Sequence, residues 1–110
     1  MINSILNSIK KMLGGPFLGD EFDTDLIINI NSVFLILNQL GVGPELPFFI
    51  TGAGESWSDF LGDDNIEMVK SYIFMKVKLI FDPPQSSSAQ KSYEELIKEF
   101  EWRLNVQVDP

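Results

Sequence analysis

Two groups of carboxylates are the first candidates for chemistry: Asp20, Glu21, Asp23 and Asp25, and then Asp59, Asp63 and Asp64 with Asn65. Clustered oxygens bind hard cations. Calcium loops, however, alternate their ligands, bend at a Gly and close with a distal Glu. Neither group has that order, and both stand where a helix is about to begin. Helix capping and the helix dipole account for them. The stretch GAGESW, residues 52–57, is glycine-rich but lacks the Lys-Ser/Thr of a phosphate-binding loop and the G-x-G-x-x-G spacing. Ser56 has no His to serve as its base, because the chain contains none, and the nearest Lys in sequence is Lys70. No nucleophile–base pair and no paired acid–base carboxylates emerge. The residues predict a protein that is not an enzyme, with no catalytic residue, no metal site and no cofactor.

What remains must work through surfaces, and composition says what kind. The chain has 110 residues, which predicts one domain with a thin core. Hydrophobic residues make up 45% of it and include nine Phe, which argues against disorder. That content is generous for so small a domain, so part of it is expected to be covered by other subunits. Eight basic against 16 acidic residues leave a net charge of −8, with the lysines scattered. A duplex binder needs a basic patch, so tight DNA binding is not expected, although DNA can pass near an acidic surface without being gripped. There is no Cys, which removes disulfides and thiolate zinc sites. At the N-terminus the lysines follow the apolar residues, the reverse of a signal peptide. Residues 26–42 form the longest uncharged apolar run, but Asn29, Asn31, Ser32, Asn38 and Gln39 interrupt it, and no membrane span is expected.

The apolar spacing predicts a mainly α protein, a small bundle of about four helices. Ile2, Ile5, Leu6, Ile9, Met12 and Leu13 recur at helical steps, capped by Asn3 or Ser4 and stopped by Gly14-Gly15-Pro16. A second helix starts at an Asp23 or Thr24 cap, with Phe22 stapled onto Ile27, and ends at Gly41. It is apolar over most of its circumference, which predicts a helix either central in a bundle or, the preferred reading, buried between subunits. Residues 42–56 form a Gly/Pro-rich loop with short-strand propensity at 48–51, and the adjacent Phe48 and Phe49 either tuck onto the core or face outward. Ser56 caps a single turn. Asp63-Asp64-Asn65 opens a third long helix, with Asp64 and Glu67 at capping-box spacing, running to Phe81. Asp82, Pro83 and Pro84 stop it, since proline cannot donate the helix bond and restricts its predecessor. The serines 86–88 read as a linker, and Ser92 with Glu95 as the capping box of a last amphipathic helix. Residues 105–110 read as a tail with short-strand propensity.

Three blocks carry a family resemblance: ININSVFLILNQLGVGP (28–44), VKSYIFMKVKLIFDPPQSS (69–87) and EFEWRLNVQVD (99–109). Together, in this order, they resemble the head–tail connector, or adaptor, family of tailed phages and prophages of Gram-positive bacteria. The resemblance covers nearly the whole chain as one connector domain, 1–110. It implies a structural virion protein without cofactor, present in the host cytoplasm during assembly. Such a protein forms a ring of copies beneath the portal protein and meets a downstream neck or tail-completion protein, with DNA passing nearby. A ring needs two complementary faces per subunit. The expected interface residues are Phe34, Leu35, Phe48, Phe49, Tyr72, Met75, Trp102, Val106 and Val108, with Gly41, Asp82, Pro83 and Pro84 as structural turns. The alternative reading is a small helical regulator that engages one host partner through an apolar groove.

Overall fold

The computed structural model describes residues 4–14, 20–61 and 66–108. It contains five helices: α1 (Ile5–Leu13), α2 (Asp23–Gln39), the single turn α3 (Trp57–Phe60), α4 (Ile66–Phe81) and α5 (Ser87–Val108). The mainly helical expectation holds. Among the described residues no strand forms, and the nearest thing to one is an isolated bridge between Ser4 and Ser56. Asn3, Gly15, Pro16 and the Asp63-Asp64-Asn65 start expected for α4 lie outside the described residues.

Helix α1 is capped by the Ser4 hydroxyl, which accepts from the Asn7 N–H at 3.3 Å. Ile5, Leu6 and Ile9 are buried on one stripe, and Lys10 and Lys11 oppose the dipole in the last turn. Lys10 then reaches across to Asp23 at 2.8 Å and Asp20 at 3.3 Å. The bond to Asp23 chiefly, and then Asp20, hold its ammonium above the ordinary lysine value. Two of the four carboxylates in the first acidic group therefore clasp the end of α1 to the start of α2.

A 3-10 turn over Asp20–Phe22 leads into α2. Neither expected cap forms: Asp23 is already helical and Phe22 precedes it without a side-chain cap. The ring of Phe22, expected to staple onto Ile27, has an aromatic partner in another helix. The tight turn aims its ring at Phe81 of α4, edge-on at 5.5 Å. At the other end Gly41 behaves as predicted. Its φ of 86° is the left-handed conformation, its N–H donates to the Asn38 carbonyl at 3.0 Å, and the Val42 N–H donates to Leu37 at 2.9 Å. This is a Schellman stop, and Val42 is buried behind it.

The polar residues interrupting α2 hold the central loop. Asn31 donates to the Ile50 carbonyl at 3.0 Å and accepts the Ile50 N–H at 2.8 Å. Asn38, two turns on, donates to the carbonyls of Pro44 and Glu45. The loop so held buries Ile50 and packs Phe48 against Phe34 and Phe60, with ring centroids 5.2 and 5.3 Å apart. Its far end is closed by the Glu55 carboxylate, which accepts from the Thr51 hydroxyl at 2.9 Å and the Thr51 N–H at 3.0 Å. Helix α3 follows with a complete capping box between Ser56 and Asp59, which gives Asp59 a structural task. Trp57 is buried, and its indole N–H donates to the Ser8 hydroxyl at 3.0 Å.

Helix α4 lies at the centre, packed against α1, α2 and α5. It buries Val69, Tyr72, Ile73, Met75 and Val77. It ends at Phe81 as the prolines require, with Lys78 reaching Asp82 at 3.3 Å. Two expectations for α5 are corrected. The helix begins at Ser87, five residues before the expected Ser92 start, because the Ser86 hydroxyl already accepts the Ala89 N–H at 3.0 Å. It also runs through 105–108, expected as a tail with strand propensity, since no sheet edge is present among the described residues to receive a strand.

Gly43 has no room for a side chain. Its φ is +94°, and a Cβ there would stand 2.5 Å from the Phe60 ring. Gly43→Ala is expected to lower unfolding stability by about 2–3 kcal/mol. Gly54→Ala, where a Cβ meets nothing within 4 Å, is the near-neutral control in the same urea titration. The Thr51 hydroxyl, before all else, holds the Glu55 carboxyl below its ordinary value. A depressed carboxyl adds stability above its unfolded pKa and loses it as pH falls through the folded one. Glu55→Gln should therefore flatten part of the acid limb of stability against pH below about 4.5, leaving the alkaline limb unchanged.

Candidate interaction surface

The surface is set by how α5 sits on α4. Ile97 and Leu104 are buried, and Tyr93 meets Phe74 with centroids 6.5 Å apart. Beneath them the Tyr72 hydroxyl donates to the Glu101 carboxylate at 2.7 Å. Burial, reinforced by that carboxylate, pushes the phenol well above its ordinary value, so it remains a donor. Lys76 stands 4.0 Å from the same carboxylate. Asn105 ties the far end of α5 to the Leu40 carbonyl at 3.4 Å.

This arrangement leaves the end of α4 between two walls. Ile80 is 58% exposed there. One hollow, about 360 Å³, lies between Ile80, Phe81 and the start of α2, where Phe22, Asp25, Ile28 and Asn29 line it. A second, about 300 Å³, lies between Ile80, Leu79 and α5, with Lys76, Glu94, Ile97, Lys98 and Glu101 on its sides. Ile80 belongs to both and stands between them, with α2 on one side and α5 on the other. Ile28, also 58% exposed, stands on the α2 side. Leu35, exposed two turns further on, continues the same face of α2.

The expected interface residues divide. Leu35, Phe49, Trp102 and Val106 are exposed. Phe34, Tyr72 and Met75 are not surface residues: the core takes all three, Phe34 under the central loop and Tyr72 under α5. Phe48 is half-buried in the aromatic cluster, the tucked alternative, while its neighbour Phe49 points outward. The side chain of Val108 lies outside the described residues. Among the turn residues, Asp82 and Pro83 are exposed, and Pro84 is half-buried, its carbonyl 3.4 Å from the Gln90 amide. The broad apolar arc of α2 is less available than its pattern predicts, because the chain's own loop covers much of it. Sequence reasoning passed over Ile28 and Ile80 as members of wide stripes. For Ile28 a signal exists, since it lies off the stripe of Leu26, Ile30, Val33 and Leu37, whereas Ile80 continues the face of the buried Val69, Ile73 and Val77 and its exposure carries no signal in the spacing.

A helical bundle that leaves large apolar residues exposed on several elements, Ile28 and Ile80 among them lining hollows, has the make-up of a protein that binds other proteins. Among the described residues no helix is long and apolar enough to cross a membrane, and no acidic cluster has metal-binding geometry. The family model for phage connector proteins matches residues 5–110, and the chain belongs to that family. It is accordingly a structural connector protein of a phage, a virion component that associates with other head and tail proteins. Comparison with curated proteins and with solved structures returns no match.

Tyr72→Phe keeps the ring and deletes the bond to Glu101. It should cost about 1.5–3 kcal/mol, since a charged acceptor loses its buried donor. Hydrogen exchange should show the loss concentrated in α5; protection falling equally in α1 would contradict the role assigned to this bond.

Proposed function

We propose that this chain forms a ring of copies beneath the portal of a tailed phage or prophage of a Gram-positive host, joining the head to the neck. The observation that carries the reading is uncovered apolar surface on two separate parts of the subunit: the hollows beside Ile80, and the outer side of α5 at Trp102 and Val106. Complementary patches that differ are what a closed ring of identical subunits uses. The net charge of −8 favours a lumen through which DNA moves without being held. The outward Phe49 and Leu46 of the central loop, together with the end of α5, are the parts assigned to the portal and to the next neck protein. The whole chain acts as one domain, assembling in the host cytoplasm and remaining in the virion.

Electron microscopy of necks from particles, or of this chain mixed with its portal, tests the reading. The expected image is a ring at the portal. A chain that never binds portal and is missing from particle necks would sink it. The Pro83-Pro84 corner supplies a second test. Replacing both with Ala should reduce ring assembly on the portal more than it reduces helix content by circular dichroism. Intact assembly, or equal loss of both, would count against the corner as an assembly device.

A further inference from the structure

We infer that α5 is an exchangeable arm: in the assembled protein it leaves the α4 of its own chain and packs, in the same register, on the α4 of a second copy. The inference rests on the connector reading and names the contact that joins its subunits.

The arm is the part of the subunit held least. Helix α4 is what it packs against, and among its described side chains only Ile97 and Leu104 are buried. The much shorter α1 buries Ile5, Leu6 and Ile9. It is also tied at both ends, by the Ile5 N–H donating to the Glu55 carbonyl at 3.0 Å and by Lys10 pairing with Asp23 at 2.8 Å. The polar ties of α5 across the fold are the Tyr72–Glu101 bond at 2.7 Å, the looser Lys76 contact with the same carboxylate, and the Asn105 amide 3.4 Å from the Leu40 carbonyl. An element attached through one neighbour opens at a lower free energy than the domain as a whole.

The corner before it has the make-up of a hinge. Tyr93 meets Phe74 and Glu101 meets Tyr72, so α5 runs antiparallel to α4 and the chain reverses within Asp82–Ser86. Each proline restricts the residue before it to extended backbone, here Asp82 and Pro83. That local preference points away from the reversal. Asp82, Pro83, Gln85 and Ser86 are exposed, and the corner's hydrogen bonds to side chains reach no farther than Lys78 on one side and Gln90 on the other. Short connections that gain by straightening are where identical chains exchange elements.

Complementarity selects a second copy as the occupant. Departure of α5 bares the fully buried Tyr72 and the ring of Phe74. A buried hydroxyl stripped of its acceptor beside open apolar surface is unfavourable, so the seat has to be refilled. Its occupant must bring a carboxylate to Tyr72 and Lys76, an aromatic ring to Phe74, and apolar side chains where Ile97 and Leu104 sit. The α5 of another copy brings all of these in the register already present. Exchange restores each contact it breaks, and the remaining cost is that of joining chains. That cost falls when copies are gathered on one template. Each copy then gives α5 to one neighbour and receives it from the other, a head-to-tail contact of the kind that closes into rings.

The chain has no native Cys, so introduced thiols report single positions. One chain would carry Phe74→Cys and another Tyr93→Cys, positions that face each other inside a closed subunit. Concentrated together with portal present and treated with a short bismaleimide, the mixture should give heterodimers in several-fold excess over a control pairing Phe74→Cys with Leu46→Cys, a loop position 79% exposed. A second experiment locks the arm at home. A single chain carrying Leu79→Cys and Glu94→Cys, which line one hollow between α4 and α5, would be linked within itself at high dilution. The locked chain should assemble rings on portal several-fold less well than the same chain unlinked, with helix content by circular dichroism unchanged. This lock touches only exposed or half-buried positions and decides independently of how well Phe74→Cys folds. Heterodimers at the control level overturn the inference, whether α5 stays at home or another protein takes its seat. Rings formed equally well by the locked chain overturn it too. Necks that contain the protein although exchange fails would reject the arm and leave the connector reading intact. Exchange by a chain missing from necks would do the reverse.

Discussion

The two hydrogen bonds between the Asn31 side chain and the backbone of Ile50 are the constraint on which much of this fold depends. They treat a loop residue as a strand would treat its neighbour, satisfying both backbone groups of a buried position at once. With Ile50 fixed, Phe48 is directed onto Phe34, Phe60 closes over both, and the capped turn α3 delivers Trp57 to Ser8 of α1. A loop of fifteen residues, 42–56, would otherwise be an expensive piece of chain to order in so small a domain. Here it serves as a fourth side of the core.

That clamp changes how α2 should be understood. A helix apolar around most of its circumference normally signals a partner on each side. In this chain α1, α4 and the loop supply most of those partners, and Asn31 and Asn38 are the polar price of holding the loop there. The surface left over is smaller and more specific than the pattern suggests. Among the described residues it includes Met12 on α1, Ile28 and Leu35 on α2, Leu46 and Phe49 in the loop, Ile80 at the end of α4, and Leu96, Trp102 and Val106 on α5.

Most helices were legible in the sequence, because 3.6-residue periodicity and stop signals such as Gly41 and Pro83-Pro84 depend on local physics. The starts were less so. Ser92 with Glu95 satisfies the capping-box pattern, yet Ser86 caps first, and a helix once nucleated passes through a later cap residue without penalty large enough to stop it. Likewise a local rule points Phe22 toward Ile27 and is silent on its edge-on contact with Phe81 of α4, which only the fold supplies. The interaction surface was only half legible. Trp102, Val106, Leu35 and Phe49 are outward, whereas Phe34, Tyr72 and Met75 are large apolar residues of the same chemical type that the core claims. Which member of a wide apolar stripe faces water is decided by the packing of elements distant in sequence, and a stripe alone does not encode it.

The hollows beside Ile80 follow from where α4 stops. Asp82-Pro83-Pro84 ends the helix at Phe81, and Ser86 restarts it within a few residues in a direction that lays α5 back along α4. Ile80 thus stands in the last turn, with no further turn of α4 to carry the core past it. One more turn of helix would extend the apolar face past Ile80 and crowd the hollows on either side of it. A polar residue at 80 would leave the hollows but remove the apolar residue they share. The exposed apolar surface is therefore not an accident of small size alone. It comes from a proline stop that truncates a hydrophobic helix at the point where two other helices flank it.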